Sequence, residues 1–333
     1  MSNSIKRSIN DTWNGLVKSA PAISLEKRAC PLCGSDKSES VSTGIDFECR
    51  SVSNHFEFRR CASCDGVYLN PRPASADLAK IYPKDYYYSS SSQVSKRGNR
   101  FVQMLWDAAE RRRMESVKAL VGKPRAKILD IGCGQGRLLK VIKGSLPEWE
   151  LVGVDLGIND ELSALGIKTY RDIYEKLDLK DGPFDLIFAQ QVIEHAIDPA
   201  GMLRKMYEDL TPGGYVIIDT PNFASMDRKL FSKHYWSAYH FPRHMTLFTK
   251  GTLSSLASSC GFNIIKSQKL FSPVGWAVSV HNALLGRGLN PKLADRIHYQ
   301  AFIPLCAAGI IELFFFTCTR ESSNMRIIVQ RPL

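Results

Sequence analysis

The sequence predicts an α/β chain with a mostly parallel sheet covered on both faces, preceded by a small cysteine-punctuated module. Three observations predict it. From Ala126 onward, short apolar runs alternate with helical patterns, the rhythm of a β-α-β-α sheet. One of those runs ends directly in a glycine cluster, I-L-D-I-G-C-G-Q-G from Ile128 to Gly136. Upstream, four cysteines stand in two C-x-x-C pairs among short polar and β-branched runs.

The elements follow in order. Residues 1–24 are polar and Ser-rich and read as a flexible leader, and residues 25–85 hold the two cysteine pairs. P-R-P at Pro71–Pro73 closes that module, and Y-P-K-D-Y-Y-Y-S begins a linker that runs with one helix through residues 86–124. In that helix Phe101, Met104, Leu105 and Ala108 recur at helical spacing, and Arg111–Arg113 read as its solvated face. Strands are expected at Ala126–Ile131, Leu151–Asp155, Lys168–Tyr170, Phe184–Ala189, Tyr215–Asp219 and Asn263–Lys269. A last run, Met325–Gln330 within residues 324–333, is expected as an edge strand. Helices are expected at Gly136–Lys143, Pro199–Leu210 and Thr249–Cys260, and residues 271–323 read as a helical, strongly apolar insertion.

Composition narrows the class. An apolar fraction of 44% and a charged fraction of 23% suit a soluble protein able to bury a core. The net charge of +11 admits nucleotide-linked substrates, RNA or a lipid surface without choosing among them. The first ten residues lack an apolar run, and the nine cysteines are an odd number, so a cytoplasmic chain is expected.

At the end of the first long strand, Asp130 precedes Gly132, Gly134 and Gly136, the place where open α/β sheets bind ligands. The glycines fall at every second position and Arg137 follows Gly136, so the dinucleotide pattern G-x-G-x-x-G is not met. Asp155, ending L-V-G-V-D, can accept hydrogen bonds from both hydroxyls of a ribose. Upstream, C-P-L-C-G (Cys30, Cys33) and C-A-S-C-D-G (Cys61, Cys64) supply four thiolates, a closed tetrahedral set for a structural Zn2+. Cys49 and His55 lie between the pairs without ligand spacing.

Four blocks resemble the class I S-adenosylmethionine-dependent methyltransferases: D-I-G-C-G-Q-G at 130–136, G-V-D-L at 153–156, F-D-L-I-F-A-Q-Q-V-I-E-H at 184–195 and T-P-G-G-Y-V-I-I at 211–218. The resemblance covers residues 125–270 and implies a Rossmann-like, seven-stranded methyltransferase sheet. It also implies that Asp130 and the Gly132–Gly136 loop hold the methionine end of S-adenosyl-L-methionine and that Asp155 binds ribose. Asp172 and Ile173 would flank the adenine, and Gln190 would sit beside the sulfonium. The ribbon, P-R-P and Y-P-K-D-Y-Y, from Cys30 to Tyr88, further resemble a subgroup acting on sugars, nucleotide-linked sugars and other small metabolites. O-methylation of a sugar or related hydroxyl is therefore the expected activity. The alternatives are a zinc-bearing RNA base methyltransferase and a scaffold that binds without turnover. RNA is disfavoured because the fourth-strand motif reads A-Q-Q-V, with no N-P-P-Y and no cysteine.

A hydroxyl acceptor needs a base. His195, His240 and His244 are the candidates, with His234, Trp236, Tyr239 and Phe241 completing an aromatic segment read as a substrate lid. His195 has a second reading, as a residue that caps and orients its loop. Residues 271–323 must bury apolar surface against the chain itself or a homodimer mate. Alternatively they face a membrane and a lipid-linked acceptor, helped by Lys292 and Arg296.

Overall fold

The structure is a computed structural model and describes residues 11–83, 114–158, 160–294, 302–319 and 321–333. Phe101, Met104, Leu105, Ala108, Arg111–Arg113, Arg296 and most of the Tyr-rich linker lie outside the described residues.

The N-terminal part carries five short strands: β1 (Leu25–Glu26), β2 (Ser38–Gly44), β3 (Phe56–Cys61), β4 (Val67–Leu69) and β5 (Arg72–Pro73). The main sheet follows with β6 (Lys127–Ile131), β7 (Glu150–Val154), β8 (Lys168–Tyr170), β9 (Phe184–Gln190) and β10 (Leu210–Pro221). Then come β11 (Thr246–Leu247), β12 (Asn263–Leu270) and β13 (Asn324–Gln330).

Seven strands form the main sheet in the order β12-β13-β10-β9-β6-β7-β8. β6 pairs in parallel with β7 and β9, β9 with β10, and β7 with β8. These central strands read as continuous apolar runs because helices cover both faces. Ile128, Leu129, Leu186, Ile187, Phe188 and Ala189 are wholly buried. Pro199–Asp209 is among the covering helices, opened by Asp198, whose carboxylate accepts from the Gly201 amide at 2.8 Å.

β13 corrects the sequence reading. It is not an edge strand but lies antiparallel between β10 and β12, hydrogen-bonded on both sides. Met325, Ile327 and Val329 are wholly buried on one face, while Arg326 forms an ion pair with Asp219 of β10. The outer strand on that side is β12, which is largely exposed. Alternation along a strand reports its two faces and says nothing of which neighbours it pairs with.

The expected flexible leader is corrected from residue 11 onward, residues 1–10 lying outside the described residues. Residues 11–17 are helical, and Trp13 and Val17, four apart on one helix face, are buried. The Trp13 ring meets Phe47 and His234 edge-on at 5.5 and 5.0 Å.

The cysteine-bearing part keeps only a small cluster to itself, Cys30, Cys61 and Tyr68 with Leu32, and shares its larger core with the rest of the chain. β11, from far along the chain, completes its sheet in the order β11-β4-β3-β2. Phe56, Phe58, Leu69 and Ile81 share one cluster with Trp236, Tyr239, Phe241, Met245 and Leu247. Arg243, fully buried, grips both carboxylate oxygens of buried Asp46 at 2.9 Å each. The segment read as a lid is thus a packed block that bolts the ribbon region to the main sheet.

The insertion is helical at Val274–Gly286, Pro291–Ala294 and Phe302–Cys318. Trp276 stacks on Phe315 at 5.2 Å. Buried Glu312 accepts from Trp276 Nε1 at 2.7 Å and from Ser323 Oγ at 2.9 Å. Ile310, Leu313 and Phe314 remain exposed, and no described helix is long and apolar enough to cross a membrane.

Candidate functional site

The cleft at the carboxyl ends of β6, β7, β9 and β10 encloses about 1380 Å3. One wall carries Gly132, Gly134, Asp155, Asp172 and Ile173, Gln190 lies on it, and His195, His240 and His244 line it with Trp236. Leu78, Tyr82, Val274 and Gly275 also border it, so the ribbon side and the insertion both enclose it. Nine of the eleven residues expected for cofactor or catalysis therefore share one cavity; Asp130 and Gly136 are the two that do not line it.

Local chemistry explains that division. Gly134 has φ +53°, and a Cβ there would meet nothing within 4 Å, so its backbone leaves open room at the cleft. Gly136, with φ +72°, caps the helix Arg137–Ser145, and a Cβ would fall 2.3 Å from Leu162 Cδ2. Gly136 is a packing residue, and Asp130 is buried within β6.

Asp155 ties the glycine loop to the end of β7. Its Oδ2 accepts from the Gly134 amide at 2.9 Å and its Oδ1 from the Gly157 amide at 2.7 Å. Each oxygen keeps a further lone pair, enough for two ribose hydroxyls. Asp172 and Ile173 are exposed on the same wall, with the Asp172 carboxylate accepting from the Ile173 amide at 2.7 Å. These residues fit the nucleoside of S-adenosylmethionine. Gln190 is held through its amide NH2, which donates to Asp219, and Asp219 is in turn fixed by Arg326 at 2.7 Å. Gln191 follows with φ 55°, a strained turn that hands its amide to the Asp219 carbonyl at 2.7 Å.

The histidines form a cluster at the other end. The rings of His195 and His244 are 4.6 Å apart and those of His240 and His244 5.0 Å. His195 Nδ1 lies 3.1 Å from the Arg243 carbonyl and His244 Nδ1 2.8 Å from the Ala238 carbonyl. A carbonyl only accepts, so both Nδ1 atoms carry the proton and both Nε2 atoms keep a lone pair. Burial pushes the His195 imidazole down to about 3, assisted by His240, and holds His244 well below the usual histidine range. His240 adopts φ 34° and sets its Nδ1 3.1 Å from Glu48 Oε2. Burial would raise Glu48, but the charge and hydrogen bond of His240 outweigh it and hold the carboxyl low. Glu194, wholly buried, is pushed up to about 8 by desolvation and accepts from Thr220 Oγ1 at 2.8 Å. His234 stands apart from the cleft, donating to the Thr43 carbonyl at 2.8 Å.

Glu48, Glu194, Asp219 and Asp227 are the residues that sequence reasoning missed. Glu194 sits beside His195 in the I-E-H stretch, where a carboxylate next to a histidine was the available signal. Asp227 lines the cleft, receives Trp236 Nε1 at 2.8 Å and is raised by burial. Nothing local marks it or Glu48, which arrives from about 190 residues upstream of its histidine.

At the ribbon, Cys30 and Cys64 Sγ lie 3.6 Å apart and Cys33 and Cys61 Sγ 3.5 Å. All four thiols fall within 4.8 Å of one another. Tetrahedral zinc with bonds of about 2.3 Å requires sulfurs roughly 3.8 Å apart, so the set fits. Cys49 and His55 are not part of it, and His55 Nε2 pairs with Asn14 at 2.9 Å.

The family described as "Methyltransferase domain" matches residues 100–267, half of the chain. The chain belongs to this methyltransferase-domain family. Among curated relatives, the malonyl-[acyl-carrier protein] O-methyltransferase of Marinomonas sp. is 25% identical over 158 residues, 44% of this chain and 58% of that protein. A ubiquinone biosynthesis O-methyltransferase of Bradyrhizobium diazoefficiens is 29% identical over 124 residues, 35% of this chain and 48% of that protein. The chain thus spans less than two thirds of either relative's length. Among solved structures, 1,6-didemethyltoxoflavin-N1-methyltransferase of Burkholderia thailandensis is 16% identical with a TM-score of 0.46, covering 82% of this chain and 98% of that one. The seven-stranded, Rossmann-like sheet built above is the fold of this methyltransferase-domain chain.

Proposed function

We propose that the chain is an S-adenosylmethionine-dependent methyltransferase that O-methylates a sugar or related small metabolite. The observation that carries this reading is the single cleft joining the Asp155 wall to the histidine cluster. When bound, S-adenosylmethionine supplies a methyl group on a sulfonium. Asp155 accepts the two ribose hydroxyls, Asp172 and Ile173 flank the adenine, and the Gly132–Gly134 backbone gives room for the methionine end. Gln190, fixed by Asp219, borders the reacting centre. His240, when neutral with its Nδ1–H held by Glu48, receives the acceptor's hydroxyl proton on Nε2. Trp236 and Val278 bound the acceptor end of the cleft. Alignment in that enclosed space supplies much of the acceleration.

We further place the chain in the zinc-ribbon subgroup, with Cys30, Cys33, Cys61 and Cys64 holding a structural zinc. Four thiolates leave no open position for chemistry, so this ion supports folding of the ribbon.

The cofactor end is tested by calorimetry with S-adenosylhomocysteine. Wild type binds it, and Asp155→Ala weakens binding by roughly 1.5–3 kcal/mol through loss of charged hydrogen bonds to ribose. Equal affinity in both proteins would remove Asp155 from the site.

A further inference from the structure

We propose that Glu194, His195 and His244 form a second metal site, for a divalent first-row transition ion, on the floor of the acceptor end. One ligand atom from each residue lies within 4.8 Å of the other two. Two imidazoles and one carboxylate are a donor set such ions favour, and three protein ligands leave positions open. His195 and His244 line the cleft, whereas Glu194 is wholly buried and does not, so the positions left open are those toward the cleft.

Two further features point to an ion rather than to a self-contained hydrogen-bond cluster. Both imidazoles spend Nδ1–H on backbone carbonyls, Arg243 at 3.1 Å and Ala238 at 2.8 Å. Metal-ligating histidines are oriented this way, with the second nitrogen tied back and the lone pair presented to the ion. The second feature is Glu194 itself. Oε2 accepts from Thr220, but fully buried Oε1 has no hydrogen-bond partner among the described residues. A buried carboxylate oxygen left unpaired is costly, and a cation beside it removes that cost.

The role follows, and it rests on the methyl transfer proposed above. An ion here polarises the acceptor oxygen, so the substrate class is a hydroxyl able to coordinate a metal, as in a sugar diol. The O–H bond breaks with its proton passing to His240 Nε2, and the oxygen bonds the methyl carbon. The carbon–sulfur bond breaks with its electron pair returning to sulfur.

The test uses the full chain with zinc on its four cysteines, counted by elemental analysis as one atom that Cys61→Ser loses. Mn2+, which disfavours thiolates, is then titrated in, and the unbound ion is followed by electron paramagnetic resonance. One Mn2+ per chain is expected, with binding about tenfold or more weaker in Glu194→Gln and in His244→Asn. Calorimetry with S-adenosylhomocysteine on the same samples should give unchanged affinity, which shows that the variants fold. It also separates the two readings: a chain that binds Mn2+ but no S-adenosylhomocysteine loses the methyltransferase reading and keeps the metal site. No saturable binding of Mn2+ or Co2+ by wild type, or equal binding by both variants, overturns the site.

Discussion

Replacing Arg243 with alanine is expected to destabilise the protein by about 3–5 kcal/mol, read as a lower urea midpoint. Breaking a buried pair strands the remaining charge, which costs far more than losing an exposed one. Asp46 and Arg243 are both wholly buried and bonded through two oxygens. The pH dependence should change sign as well. Burial alone would raise the Asp46 carboxyl, but the Arg243 hydrogen bonds and charge outweigh it and hold the folded value below the ordinary one. Its contribution in wild type is therefore full above pH of about 3.9 and is lost as pH falls through the lowered folded value. Without Arg243, the Ser51 and Cys49 donors remain on Asp46, but burial is expected to outweigh them and raise the folded value. This group then favours folding at low pH and loses that contribution as pH rises. Asp46→Leu combined with Arg243→Met should recover much of the loss, since an apolar pair of similar volume replaces the ions. An Arg243→Ala chain within 1 kcal/mol of wild type would mean that the bolt between ribbon and sheet does not hold this fold.

The second large effect belongs to His240. His240→Ala should lower kcat by roughly 10²–10⁴-fold, the usual contribution of a positioned base. Affinity for S-adenosylhomocysteine should stay unchanged, because the ring lies at the acceptor end of the cleft. Glu48→Gln should give a smaller loss, since glutamine can still accept the Nδ1 proton without its charge. A His240→Ala enzyme turning over at the wild-type rate would hand the proton to another group, and Asp227, buried in the same cleft, is then the next to test.

The central strands were legible because each is short, apolar and closed by a turn. β8, Lys168–Tyr170, has the bounds its pattern predicts, and β6, β7 and β9 differ by a residue or so at their ends. That Gly132, Gly134 and Asp155 face one cleft was legible because each is read locally, at the end of a visible strand. What escaped was everything that depends on distant pairing. No pattern in Asn324–Gln330 says that it inserts between β10 and β12. Trp13 and Val17 looked like parts of a loose leader because their partners, Phe47 and Tyr235, come from two other segments. Glu48 reaches His240 only because the ribbon shares its core with the segment around Tyr239 and Phe241. The apolar insertion was visible in composition, but the inward turn of Glu312 toward Trp276 was not. In the sequence that acid only interrupts a greasy run.

The central claim is methyl transfer to a small hydroxyl acceptor, and one measurement meets it directly. Purified protein is incubated with methyl-labelled S-adenosylmethionine and, in parallel, with a metabolite extract and with total RNA. The account predicts label in the low-molecular-mass polar fraction, stable to alkali as an O-methyl ether should be, and none in RNA. Label confined to RNA, or S-adenosylhomocysteine binding with no transfer to either pool, would contradict it.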